Sequence, residues 1–136
     1  MDIQRYTNAH VEILGQIDAL RTLIGAGIAE QSGAIASLLV NIASGIKFHL
    51  AAEDRVLYPA FAASQDPGAM ALGRRYQDEM QGLSADFAEL VLKWRVGPRI
   101  AADPEGFRAH ANAVFKALFE RLTREERELY PMAERL

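Results

Sequence analysis

The chain contains no cysteine. That removes disulfide frameworks, cysteine zinc sites, cysteine-ligated iron–sulfur clusters and thiol catalysis together. Positive charge is not in surplus either: 15 Lys and Arg stand against 18 Asp and Glu, a formal charge of −3, with a sequence pI near 5.6. A mildly acidic chain lacks the clustered basic side chains that grip a phosphate backbone, so no nucleic-acid partner is expected. The amino end, MDIQRYTNAH, carries acid early and has no apolar stretch of the export type. Long hydrophobic runs are missing as well. The most apolar stretch, Ala34 to Ile46, is interrupted by Ser37, Asn41 and Ser44 and is short for a bilayer, so no membrane contact is expected. The expectation is a cytoplasmic protein. The 136 residues suit one globular domain spanning 1–136.

Strand signals are also lacking, since no segment alternates β-branched and polar residues with period two. Chain punctuation clusters at three places: Gly25, Gly27 and Gly33; Pro67 and Gly68; and Gly97, Pro98 and Pro104. Between them lie four long segments rich in Ala, Leu, Glu and Arg, all good helix formers. Apolar residues recur at three- and four-residue spacing, as in Ile13, Ile17, Leu20 and Ile24, or Leu83, Phe87, Leu90 and Trp94. This periodicity predicts helices over roughly 5–27, 32–63, 69–96 and 104–134. Ser32 is the expected N-cap of the second, and Asp103, followed by Pro104, that of the fourth. Pro59 and Pro131 should break or kink their helices near the ends. Short connections favour antiparallel neighbours, hence an all-α, up-down-up-down four-helix bundle.

The second half repeats the first. With a shift of 72, LAAEDRVLYP (50–59) lies over LTREERELYP (122–131) with six of ten positions identical. With a shift of 70 the first helix lies over the third, pairing Tyr6 with Tyr76 and His10 with Met80. A helix pair used twice can bring equivalent residues to one central site.

The informative residues are polar ones in apolar stripes. His49 and Glu53 are four apart on one helix face, and the repeat maps them onto Arg121 and Glu125. His10 falls in the stripe of the first helix. Charges inside a bundle are costly unless paired or bound to a metal. His110 lies 11 residues from Arg121, three turns away, and is expected in the core or at the bundle end. Met80 and Trp94 read as core, Tyr58 and Tyr130 as packing for the turns that end their helices, and the remaining charges of the tail as solvated.

His10, HLAAEDRVLYP (49–59) and REERELYP (124–131) together resemble the hemerythrin-like domain, also called the HHE cation-binding domain, over essentially the whole chain. That resemblance implies a four-helix bundle holding two iron atoms bridged by carboxylates, with dioxygen or related small molecules bound or sensed. The implied ligand set is a helix-one His, His-x-x-x-Glu on helix two, two His on helix three, and a His followed by a carboxylate on helix four. His10, His49, Glu53 and Glu125 match it. The helix-three positions fall on Tyr76 and Met80, and the helix-four His falls on Arg121. The resemblance therefore implies one intact metal subsite with both bridging carboxylates, and a second subsite stripped of its histidines.

Three readings follow. One metal ion, iron first and manganese or zinc as alternatives, is held by His10, His49, Glu53 and Glu125 and takes dioxygen, nitric oxide or peroxide as ligand. In this reading Arg121 replaces part of the missing metal's charge and Tyr76 adds a phenol nearby. Alternatively no cofactor is bound, Arg121 pairs with Glu53 and Glu125, and the domain serves as a regulatory or protein-interaction module with a protein partner. Two metals are the third reading. A ferritin-type oxidase is disfavoured, because those bundles use Glu-x-x-His and the chain has none. No nucleophile beside a base and no phosphate loop is present, so enzymatic activity is not expected.

Overall fold

The computed structural model describes residues 1–136 as helices joined by short connections. Helix α1 spans Gln4–Gly25. Helix α2 runs from Ser32 to Ala63, in three stretches: Ser32–Ala52, a π-helical turn Glu53–Leu57, and Tyr58–Ala63. Helix α3 is Pro67–Trp94, and a short α4, Gly97–Ala102, follows. Helix α5 covers 104–134, again in three stretches: Pro104–Arg124, a π-helical turn Glu125–Leu129, and Tyr130–Glu134. The four long helices are those the periodicity predicts. Short α4 lies where only a break was expected, and it packs against α2.

One detail corrects the sequence reading. Ser32 makes no capping bond and is the first helical residue, with Gln31 before it. Asp103 does cap α5, its Oδ1 accepting from Gly106 N at 3.0 Å, and Asp66 does the same for α3 through Gly68 N at 2.9 Å. Pro59 and Pro131 interrupt the regular α-helix, each just after a π-helical turn, without ending the helix. A proline has no N–H to offer the carbonyl four residues back. The chain absorbs this by widening one turn, so that Tyr58 N–H bonds to Glu53 O and Tyr130 N–H to Glu125 O, five residues apart.

The interior is layered along the bundle axis. A large apolar cluster includes Ile13, Ile17, Ile35, Leu39, Phe87, Phe107 and Leu118, and a smaller one is built from Tyr6, Leu57, Phe61, Tyr76, Leu129 and Tyr130. The buried polar residues are His10, His49, Glu53, Arg121 and Glu125. On α1, α2 and α5 these lie in sequence between residues of the two clusters, which places them as one polar layer across the bundle. The apolar composition of α2 follows from this packing, since Ile35, Leu39, Ile42 and Ile46 are all buried. Contrary to the reading from Ala34–Ile46 alone, the continuous 32-residue helix is long and apolar enough to cross a membrane. Gly73 of α3 lets that helix approach α2: a Cβ there would sit 2.6 Å from Phe61 Cβ.

Candidate metal centre

His10 and His49 come from antiparallel neighbours, and Glu125 from the start of the π turn in α5. Their side chains meet: His10 Nε2 lies 3.1 Å from His49 Nε2 and 2.9 Å from Glu125 Oε1, and His49 Nε2 is 3.5 Å from that same oxygen. All three are buried. Two neutral imidazoles bring at most one Nε2 proton each, and a carboxylate oxygen only accepts. Two imidazole nitrogens and a carboxylate oxygen at these separations are a donor set for a divalent transition metal. On the far side of the His10 ring, Nδ1 has no hydrogen bond but faces Glu126 Oε2 at 3.4 Å. A carboxylate behind the distal nitrogen is the arrangement that orients a metal-binding imidazole.

Glu53, expected among the ligands, lies beside this triad. Its Oε2 is 3.6 Å from His49 Nε2 and accepts from Tyr130 Oη at 2.8 Å, while its Oε1 is buried without a partner. Burial, and next the charge of Glu125, push the Glu53 carboxyl well above the ordinary carboxylate range. Glu125 goes the other way. Burial alone would raise it, but hydrogen bonds from His10 and His49 and the Arg121 charge outweigh burial and hold its carboxyl well below the ordinary range. Two neighbouring buried carboxylates are thus pushed apart, with Glu53 the readier to hold a proton.

Arg121 fills the other half of the layer. Its Nε donates to Glu125 Oε2 at 3.0 Å, Nη1 to the Tyr76 carbonyl at 3.0 Å and Nη2 to Tyr58 Oη at 2.6 Å. The guanidinium also stacks over the Tyr76 ring, 4.6 Å from its centroid. Burial opposes the Arg121 charge, but Glu125 more than compensates and the group stays protonated. The expected pairing of Arg121 with both glutamates is therefore corrected: the guanidinium bonds Glu125 and makes no ion pair with Glu53.

Tyr76 does not offer its phenol to this layer. Its hydroxyl turns outward, donating to Glu128 Oε1 at 2.8 Å with the Arg124 carbonyl at 3.2 Å, and burial followed by the Glu128 bond pushes it up to about 12. The phenols that do enter belong to Tyr58 and Tyr130, which sequence reasoning assigned to turn packing. Tyr130 Oη lies 3.0 Å from His10 Nε2, 3.4 Å from His49 Nε2 and 3.1 Å from Glu125 Oε1. The available signal was the repeat itself, which sets a tyrosine five residues after each buried glutamate. Five residues on a regular α-helix turn through 500°, leaving the two side chains on different faces; the wider π turn brings them to one face. His110 is confirmed as a structural residue, its Nδ1 accepting from Trp94 Nε1 at 2.9 Å.

A surface groove of about 410 Å³ between α1 and α2 is lined by Arg5, Tyr6, Ala9, Phe48, His49 and Ala52. His49 forms part of its wall.

No curated protein and no solved structure matches the chain. The family model of the hemerythrin HHE cation binding domain matches residues 1–133. With an all-helical bundle and buried His10, His49 and Glu125 converging inside it, the chain belongs to the hemerythrin HHE cation-binding domain family.

Proposed function

We propose that the protein binds a single transition-metal ion at His10, His49 and Glu125, with Glu53 beside them, and uses it to bind or sense a small ligand. The observation that carries this reading is the convergence of two imidazole nitrogens and one carboxylate oxygen from three helices within 3.5 Å of one another. Iron is the first choice of metal, with manganese and zinc suited to the same donors. Such an ion, when bound, supplies an open coordination position for dioxygen, nitric oxide or peroxide. The α1–α2 groove against His49 supports access for molecules of that size.

Arg121 supports one ion in place of two. Its Nε takes Glu125 Oε2, leaving Oε1 toward the histidines. A fixed cation there neutralises the shared carboxylate on the side away from the triad. The metal-free alternative, a regulatory or interaction module, rests on this same ion pair. It leaves Glu53 without an Arg or Lys partner and with an unbonded buried oxygen.

Elemental analysis separates the two. Protein purified without chelator or affinity metal is reconstituted anaerobically with Fe(II), Mn(II) and Zn(II) in turn. One equivalent per chain, lost in His49→Ala while the helical circular dichroism persists, is the expected result. No metal under any of these conditions overturns the proposal in favour of the metal-free module.

A further inference from the structure

Four buried atoms, not three, surround one point: His10 Nε2, His49 Nε2, Glu125 Oε1 and Tyr130 Oη. The six distances among them run from 2.9 to 3.5 Å. A tetrahedron with edges in this range has its centre roughly 2 Å from every corner, the bond length of zinc or iron to nitrogen and oxygen donors. Hydrogen bonds alone cannot explain the set. Two neutral imidazoles bring at most one proton each to Nε2 and the phenol brings one, so at most three of the six contacts can hold a proton. The phenol's proton has its shortest contact outside the tetrahedron, at Glu53 Oε2, 2.8 Å away.

The repeat supplies a second, independent observation. Tyr58 occupies the place in the first half that Tyr130 occupies in the second, each five residues beyond a buried glutamate. The Tyr58 oxygen accepts from a cation, the Arg121 guanidinium, at 2.6 Å. Arg121 in turn is the repeat counterpart of His49. Tyr130, from the second half, meets His10 and His49 of the first, so its oxygen takes the matching place toward the point where a metal cation would stand.

We infer that Tyr130 is the fourth protein ligand of the metal, as a phenolate, and that Glu53 is a positioning residue. This rests on the metal-binding reading above. On binding, the Tyr130 O–H bond would break, its electron pair staying on the oxygen as the donor and its proton leaving by way of the 2.8 Å contact to Glu53 Oε2. No electron is transferred.

The test uses ferric iron as probe, supplied as its nitrilotriacetate complex and freed of excess by desalting. Phenolate bound to Fe(III) gives a visible charge-transfer absorption and enhanced phenolate modes in resonance Raman spectra. Wild-type protein is expected to show both, and Tyr130→Phe to lose both while still binding iron. Its affinity should fall by more than the about 10–100-fold that loss of an outer-shell partner costs. Phe variants of Tyr6, Tyr58 and Tyr76 are expected to keep the absorption. These three assign the ligand by elimination should Tyr130→Phe not fold. Iron bound by wild-type protein without phenolate bands, or bands that survive in Tyr130→Phe, would overturn the Tyr130 assignment and leave the His10, His49 and Glu125 site standing. Failure of wild-type protein to take up ferric, ferrous, manganous or zinc ions overturns the site itself.

Discussion

Arg121 is the one Lys or Arg in the buried interior, and all three of its guanidinium nitrogens are engaged. Removing it strands the Glu125 carboxylate without its cation, a situation that costs about 3–5 kcal/mol for a buried pair. Arg121→Ala, unfolded in urea with chelator present at pH 7, should show a loss of that size. The pH dependence has a definite sign. The folded Glu125 carboxyl titrates below its ordinary value of 4.5, so its contribution is present above that value and is lost as pH falls through the folded one. In Arg121→Ala the carboxyl takes up a proton more readily, so the gap between variant and wild type should narrow as the pH drops below about 4.5. A variant as stable as wild type at pH 7 would show that Arg121 does not hold this charge. Arg121 was legible in the sequence because the repeat set it where a histidine stands in the other half. Burial of His10, His49, Glu53 and Glu125 was legible for a similar reason: each is a polar residue in an apolar stripe. Tyr76 illustrates where that logic stops. The stripe correctly buries its ring, but the direction of its hydroxyl is decided by Glu128 and the Arg124 carbonyl on α5, which periodicity within α3 does not contain.

Helix length and order were legible from periodicity and from the Gly and Pro positions, whereas turn geometry within the helices was not. The proline positions indicate that a carbonyl loses its donor, and a kink and a widened turn both solve that problem. The structure takes the second solution twice, and this rotates Tyr58 and Tyr130 inward. Capping shows the same limit at the helix ends. Ser32 and Asp103 look equivalent as sequence signals, yet only Asp103 makes its bond, to Gly106 N. The two should therefore separate in thermal or urea unfolding. Asp103→Ala is expected to cost about 1 kcal/mol, the usual value of an N-cap, while Ser32→Ala stays within about 0.5 kcal/mol. Equal effects at the two positions would contradict the capping geometry.

Across the whole molecule, the two halves of the polar layer connect different helices. Arg121 ties α5 to Tyr58 of α2 and to the Tyr76 carbonyl of α3. The candidate metal ligands tie α1 to α2 and α5, and α3 contributes none of them. In an unfolded chain His10 and His49 are 39 residues apart, and His49 and Glu125 are 76 apart. The site does not survive unfolding, so on the proposed reading metal binding is coupled to folding. A ligand that binds only the folded state stabilises it by RT ln(1 + [L]/Kd), about 2.7 kcal/mol when free metal stands at a hundred times Kd. The urea midpoint should thus rise with metal concentration, return to its starting value on chelation, and stay fixed in His49→Ala. Hydrogen exchange should place the effect, because metal adds a cross-link only where it has ligands. Slower exchange is expected around His10 in α1, around His49 in α2 and across Glu125–Tyr130 in α5, with α3 changing least. Protection spread evenly over all four long helices would mean that the ion acts on global stability alone. Protection concentrated in α3 would place the ion on the Arg121 side of the layer, where the structure puts a guanidinium.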